Sequence, residues 1–112
     1  MTETSRVLKF SLEKERIEHL YDAIVEFWLG RRWSLGRGSR PFSIELTKGS
    51  MLGMLWGGWR SMSIKLSIEE DGITARVNLF IPFTNITEWM EKKFDEELGE
   101  MREYISRALS ED

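Results

Sequence analysis

The stretch from Ser61 to Ile81 constrains the fold more than any other. Met62, Ile64, Leu66 and Ile68 alternate with Ser61, Ser63, Lys65, Ser67 and Glu69. After Asp71-Gly72, Ile73, Ala75, Val77, Leu79 and Ile81 alternate with Thr74, Arg76, Asn78 and Phe80. Alternation sustained over runs of this length is the period of a half-buried strand. Asp-Gly between the runs favours a two-residue type I′ turn, whose twist matches that of the strands it joins. With Asp71 and Gly72 as the loop, Ile68 faces Ala75, Leu66 faces Val77, Ile64 faces Leu79 and Met62 faces Ile81. Every inward residue then meets an inward residue, so pattern and register agree. A hairpin of this kind must cover its apolar face.

Two amphipathic helices supply the cover. The first is predicted from Glu13 to Leu29, with Ser11 as N-cap and Gly30 as the stop. At 100° per residue Ile17, Leu20, Tyr21, Ile24, Val25, Phe27 and Trp28 span roughly 160°, the width of a helix laid flat on a sheet. Glu18, Asp22 and Glu26 fall opposite. The second is predicted after Asn85, which forms a capping box with Glu88, and runs to Leu109. On it Met90, Phe94, Leu98, Met101, Ile105 and Ala108 lie within roughly 80°.

Further strands are expected at Arg6 to Leu12 and at Pro41 to Thr47, where Phe42, Ile44 and Leu46 share a side. Gly30 to Arg40 reads as a connection with a short extended piece at Trp33 to Leu35. Gly49-Ser50 suits a II′ turn leading into a strand at Met51 to Trp56, apolar on both faces. The expected fold is a single α+β domain over residues 1–112. Its antiparallel five-stranded sheet, in the order β-α-β-β-β-β-α, packs around a long C-terminal helix.

Composition narrows the chemistry. There are no cysteines, which excludes disulfides, thiolate metal sites and cysteine nucleophiles. His19 is the only histidine and lies about 200° from the apolar stripe of its helix, so no triad or histidine-metal site is expected. Gly36-Arg37-Gly38 resembles neither a P-loop nor a dinucleotide fingerprint. No carboxylate pair is indicated, and the expectation is binding without catalysis or cofactor. The N-terminus lacks the apolar run of a signal peptide, and the longest nearly apolar run, Met51 to Trp59, is too short to span a bilayer. A cytoplasmic protein is expected. Glutamine is absent and 31% of residues are charged, a composition that leans toward a thermophilic source.

Charge is distributed unevenly. Residues 31–65 carry seven basic side chains against Glu45 alone, whereas residues 66–112 carry five basic against twelve acidic. Such a split marks an anion-binding face, or else a basic middle and an acidic final helix that face each other.

The Trp28 to Trp33 helix exit, Lys48-Gly49-Ser50 with Gly53 following, and the Trp56 to Arg60 segment carry a resemblance over nearly the whole chain. They are similar to helix-grip and TATA-binding-protein-like domains, and more narrowly to small archaeal domains with a β-α-β4-α plan. The resemblance implies a sheet wrapped on a long C-terminal helix; related folds bind DNA, sterols or lipids. The DNA-binding version needs arginines, lysines and apolar wedges on its open sheet face. Here that face reads Ser43, Glu45, Thr47, Ser61, Ser63, Ser67, Thr74 and Asn78, with Lys65 and Arg76 basic.

Two candidate sites follow. Arg31, Arg32, Trp33, Arg37, Trp56, Trp59 and Arg60 form an aromatic and basic constellation, suited to stacking on nucleobases, to a protein contact, or to covering one end of the sheet. The leading expectation is an interaction module that self-associates through residues 48–62 as a homodimer, with Trp56 and Trp59 at or beside the contact. The alternative is a helix-grip pocket for a small apolar ligand, lined by Trp28, Met54, Met90, Phe94 and Met101. Glu97, on the core side of its helix, is either the polar anchor of that pocket or an edge residue reaching an arginine of the basic middle. Weak nucleic-acid or other anion binding through residues 31–65 is a third reading.

Overall fold

The computed structural model describes residues 2–49, 58–82 and 84–110. The elements are β1 (Glu3–Phe10), α1 (Ile17–Gly30), β2 (Ser34–Leu35), β3 (Ser43–Lys48), β4 (Arg60–Glu69), β5 (Gly72–Phe80) and α2 (Glu88–Ser110). The five strands form one antiparallel sheet in the order β1-β5-β4-β3-β2. The fold is thus α+β, an antiparallel five-stranded sheet with a long C-terminal helix. The fifth strand is β2, the short piece after α1. β3 has β2 and β4 as its neighbours, with Lys48 paired to Arg60. The strand expected at Met51 to Trp56 lies outside the described residues.

Alternation decides which face is covered. Ile44, Leu46, Met62, Ile64, Leu66, Ile73, Ala75, Val77 and Leu79 are buried, and they join one core with Leu20, Ile24 and Trp28 of α1 and Phe94, Leu98, Met101 and Ile105 of α2. The opposite row, with Ser5, Val7, Lys65 and Arg76, stays largely exposed. The sheet is therefore half-covered, as its sequence pattern requires.

The β4–β5 hairpin differs from expectation by two residues. Glu70 and Asp71 form the loop, Glu69 pairs with Gly72, and Ile68, Leu66, Ile64 and Met62 face Ile73, Ala75, Val77 and Leu79. A slip of two leaves each side chain on its own face, which is why the apolar pattern cannot distinguish the two registers. Neither loop residue has a positive φ, so the turn is not the I′ form. Gly72 instead sits just beyond it, at φ 155°, where a Cβ would collide with the Phe10 carbonyl of β1. The glycine is required by a close approach between strands.

Other boundaries move for local reasons. A 3-10 turn at Lys14–Arg16 precedes α1, whose N-cap is Arg16, so Ser11 does not cap it. Thr87 begins α2, its Oγ1 accepting the Met90 N–H at 3.2 Å; the expected cap at Asn85 is two residues early. β1 is tied to α2 by Arg6, whose Nε donates to Asp95 at 2.7 Å, and by Thr4, which donates to Glu91 at 2.9 Å. Arg40 binds Asp22 at 2.7 Å and Glu18 at 3.2 Å, fastening the loop before β3 onto α1. That guanidinium holds the Asp22 carboxyl below its ordinary value. Any stability from the pair is therefore present above about pH 4 and fades as the pH falls further.

Gly72→Ala should lower stability by more than about 1 kcal/mol, because the clash is with backbone and cannot be relieved by a side-chain rotation. Urea denaturation reads this as a lower midpoint at unchanged slope. A wild-type midpoint would mean that β1 and the hairpin do not approach so closely.

Candidate functional site

The end of α1 builds one side of the site. Gly30 is still helical, Arg31 is the C-cap, and Arg32 takes the left-handed φ of 69°. The Arg32 N–H donates to the Leu29 carbonyl and the Trp33 N–H to the Trp28 carbonyl, both at 3.1 Å. These are the paired bonds of a Schellman motif, so the stop expected at Gly30 falls two residues later, on an arginine. The motif folds Trp33 back onto the last turn of the helix. Its ring packs edge-on against Trp28, with centroids 5.6 Å apart at 74°. Trp33 is left 6% exposed.

The start of α2 builds the other side. With Thr87 as cap, Trp89, Met90, Lys93, Phe94 and Glu97 repeat at three- and four-residue spacings and so share one helix face. Together with Trp28, Trp33, Arg60, Leu79 and Ile81 they line a cleft of about 300 Å³. That volume is at the low end of the roughly 300–1,000 Å³ of small-molecule sites. Most of the lining is aromatic or aliphatic.

The polar groups are few. Glu97 is 33% exposed and lies 3.8 Å from an Arg31 nitrogen. Arg31 also pairs with Glu100, and its guanidinium stands 4.7 Å from the Phe27 ring centroid. Glu97 thus lines the cleft and also reaches an arginine of the basic middle. The Trp28 indole donates to the Met101 sulfur at 3.2 Å. The Trp33 indole Nε1, by contrast, is buried without a hydrogen-bond partner. Leaving such a donor unpaired costs about 1–3 kcal/mol.

Of the expected pocket residues, Trp28, Met90, Phe94 and Glu97 line the cleft. Met101 is fully buried beneath Trp28, and Met54 lies outside the described residues. The expected surface constellation is divided. Trp33 and Arg60 line the same cleft, Arg31 is engaged by α2, and Trp59 is half-buried. Arg32 and Arg37 are exposed, and Trp56 lies outside the described residues. Trp89 and Lys93 were not anticipated, although their four-residue spacing on the face of Met90 and Glu97 was available as a signal.

Among the described residues no cluster of three histidine, aspartate or glutamate side chains could hold a metal ion. Among them, too, no helix is long and apolar enough to cross a membrane. No protein-family model matches the chain, and a search of curated proteins finds no match.

Since Arg32 occupies a left-handed position, Arg32→Gly should raise stability by about 0.5–1 kcal/mol, relief of strain outweighing the entropy of a freer unfolded chain. The tryptophan pair should stay packed, leaving the near-ultraviolet circular dichroism unchanged. A lower melting temperature would mean that the Arg32 side chain makes a stabilising contact of its own.

Proposed function

We propose that this domain is a non-catalytic binding module that takes a small, largely apolar ligand in the cleft between the end of α1 and the first turns of α2. The observation that carries the reading is a cleft lined mainly by aromatic and aliphatic side chains, one of which, Trp33, keeps a buried indole donor without a partner. A bound acceptor would recover the free energy this donor forgoes. Pockets of mainly apolar lining with a few polar groups are the usual form of small-molecule sites. The reading agrees with the helix-grip resemblance, in which the face of the long helix lines whatever cavity exists.

Self-association is a second reading, favoured by Trp89. Its indole is 66% exposed at the cleft and would be covered by a second copy or another protein. Of the segment 48–62 expected to mediate that contact, residues 50–57 lie outside the described residues.

A neutral amphiphile is the direct test. Octan-1-ol should bind saturably at one site and raise the melting temperature as its concentration passes Kd. Met90→Trp, which adds bulk to a partly buried wall residue, should weaken binding at least about tenfold while leaving the fold intact. Absence of saturable binding, or equal binding by the variant, would defeat the proposal. Sedimentation at micromolar concentration addresses the second reading: a dimer that Trp89→Ser converts to monomer supports it, and a monomeric wild type removes it.

A further inference from the structure

The cations beside this cleft are unbalanced. Lys48 and Arg60 close the inward rows of β3 and β4, at positions that one step earlier in each row hold the buried Leu46 and Met62. They are also direct cross-strand partners. Two like charges thus stand opposite each other on the face that meets the helices, an arrangement that weakens a sheet. The Lys48 ammonium lies 5.9 Å from the Trp33 ring centroid, and Arg60 lines the cleft beside Trp33. Among the described residues neither cation takes part in an ion pair. The one carboxylate of the cleft, Glu97, is turned to Arg31, and Lys93 reaches Glu96 at 3.6 Å.

Among the described residues cations are therefore in excess on one side: a guanidinium and an ammonium without a carboxylate partner, beside a buried indole N–H that has no acceptor. Building on the cleft as a ligand site, we propose that its ligand carries a carboxylate head, held by Arg60 and Trp33 with Lys48 adding charge. The apolar body lies against Trp28, Met90 and Phe94. The planar guanidinium fork matches the two oxygens of a carboxylate, and charge-assisted hydrogen bonds gain strength in a site lined by aromatic rings. The same head group would neutralise the cross-strand repulsion, so binding would stabilise the sheet end as well as fill the cleft.

Octanoate and octan-1-ol, measured side by side by calorimetry near neutral pH, test this. Octanoate should bind at least about tenfold more tightly than the alcohol, and the gap should narrow with added salt. Arg60→Met and Lys48→Met should each reduce the preference, and the double variant should abolish it through weaker binding of octanoate. Both variants relieve the like-charge pair, so their melting temperatures should match or exceed that of the wild type. Equal binding of the two probes by the wild type overturns the carboxylate assignment and leaves the cleft reading standing, whether or not the variants fold. Binding of neither probe overturns the cleft reading and this inference with it. A preference that survives the double variant places the anion elsewhere and overturns the assignment.

Discussion

Trp28 meets three parts of the molecule at once. Its indole donates to Met101 of α2, its ring edge meets Phe27 at 4.9 Å and Trp33 at 5.6 Å, and it lines the cleft with Leu79 and Ile81. The packing of α1 on α2 and the way the chain leaves α1 are therefore set by one side chain. A residue of this size, buried to 1% exposure, tolerates little displacement in a close-packed interior. The Schellman turn follows from it. The chain after Gly30 must bring Trp33 back to Trp28, and Arg32 accepts a left-handed conformation to do so. Strain at one exposed residue is the local consequence of burying the Trp33 ring against Trp28.

The same turn explains how charge is sorted. Arg31, fixed as the C-cap, is brought to Glu97 and Glu100, while Arg40 is drawn to Glu18 and Asp22 on the far side of α1. Two arginines of the basic middle are thus neutralised by helix carboxylates. Among the described residues Lys48 and Arg60 have no such carboxylate partner; they extend from strand ends on the inward row. A basic segment that looks uniform along the chain is divided by the fold: among the described residues Arg31 and Arg40 pair with helix carboxylates, whereas Lys48 and Arg60 lie beside the cleft and Arg32, Arg37 and Lys65 are exposed.

Basic side chains also guard the free edge of the sheet. β1 has β5 on one side only, and its outer carbonyls are unpaired by strands. Arg102 of α2 donates to the Lys9 carbonyl at 3.0 Å, and Arg6 to the Ser5 carbonyl at 2.8 Å. Capping an edge with arginines discourages pairing with another strand. At the other edge β2 has only two residues, too short to template an addition.

The α+β class, both helices and the inward row of each long strand were legible in the sequence, because periods of two and 3.6 residues are properties of the chain itself. The buried residues of α1 and α2 are those the apolar stripes name, apart from exchanges at the stripe edges such as Ala23 and Leu109. Four of the six expected pocket residues line the cleft on the same basis. Register was not legible, since a two-residue slip preserves every face; nor was the close approach of β1 to Gly72, which joins residues distant in sequence. Nor was the exit from α1: Gly30 satisfies every local rule for a helix stop, yet the Trp28–Trp33 contact carries the helix past it. Lys48 and Arg60 stood on inward positions by simple parity, but that they face each other depends on pairing across β3 and β4. Local periodicity determined what each segment is, and contacts between residues distant in sequence decided where each one stops and what it meets.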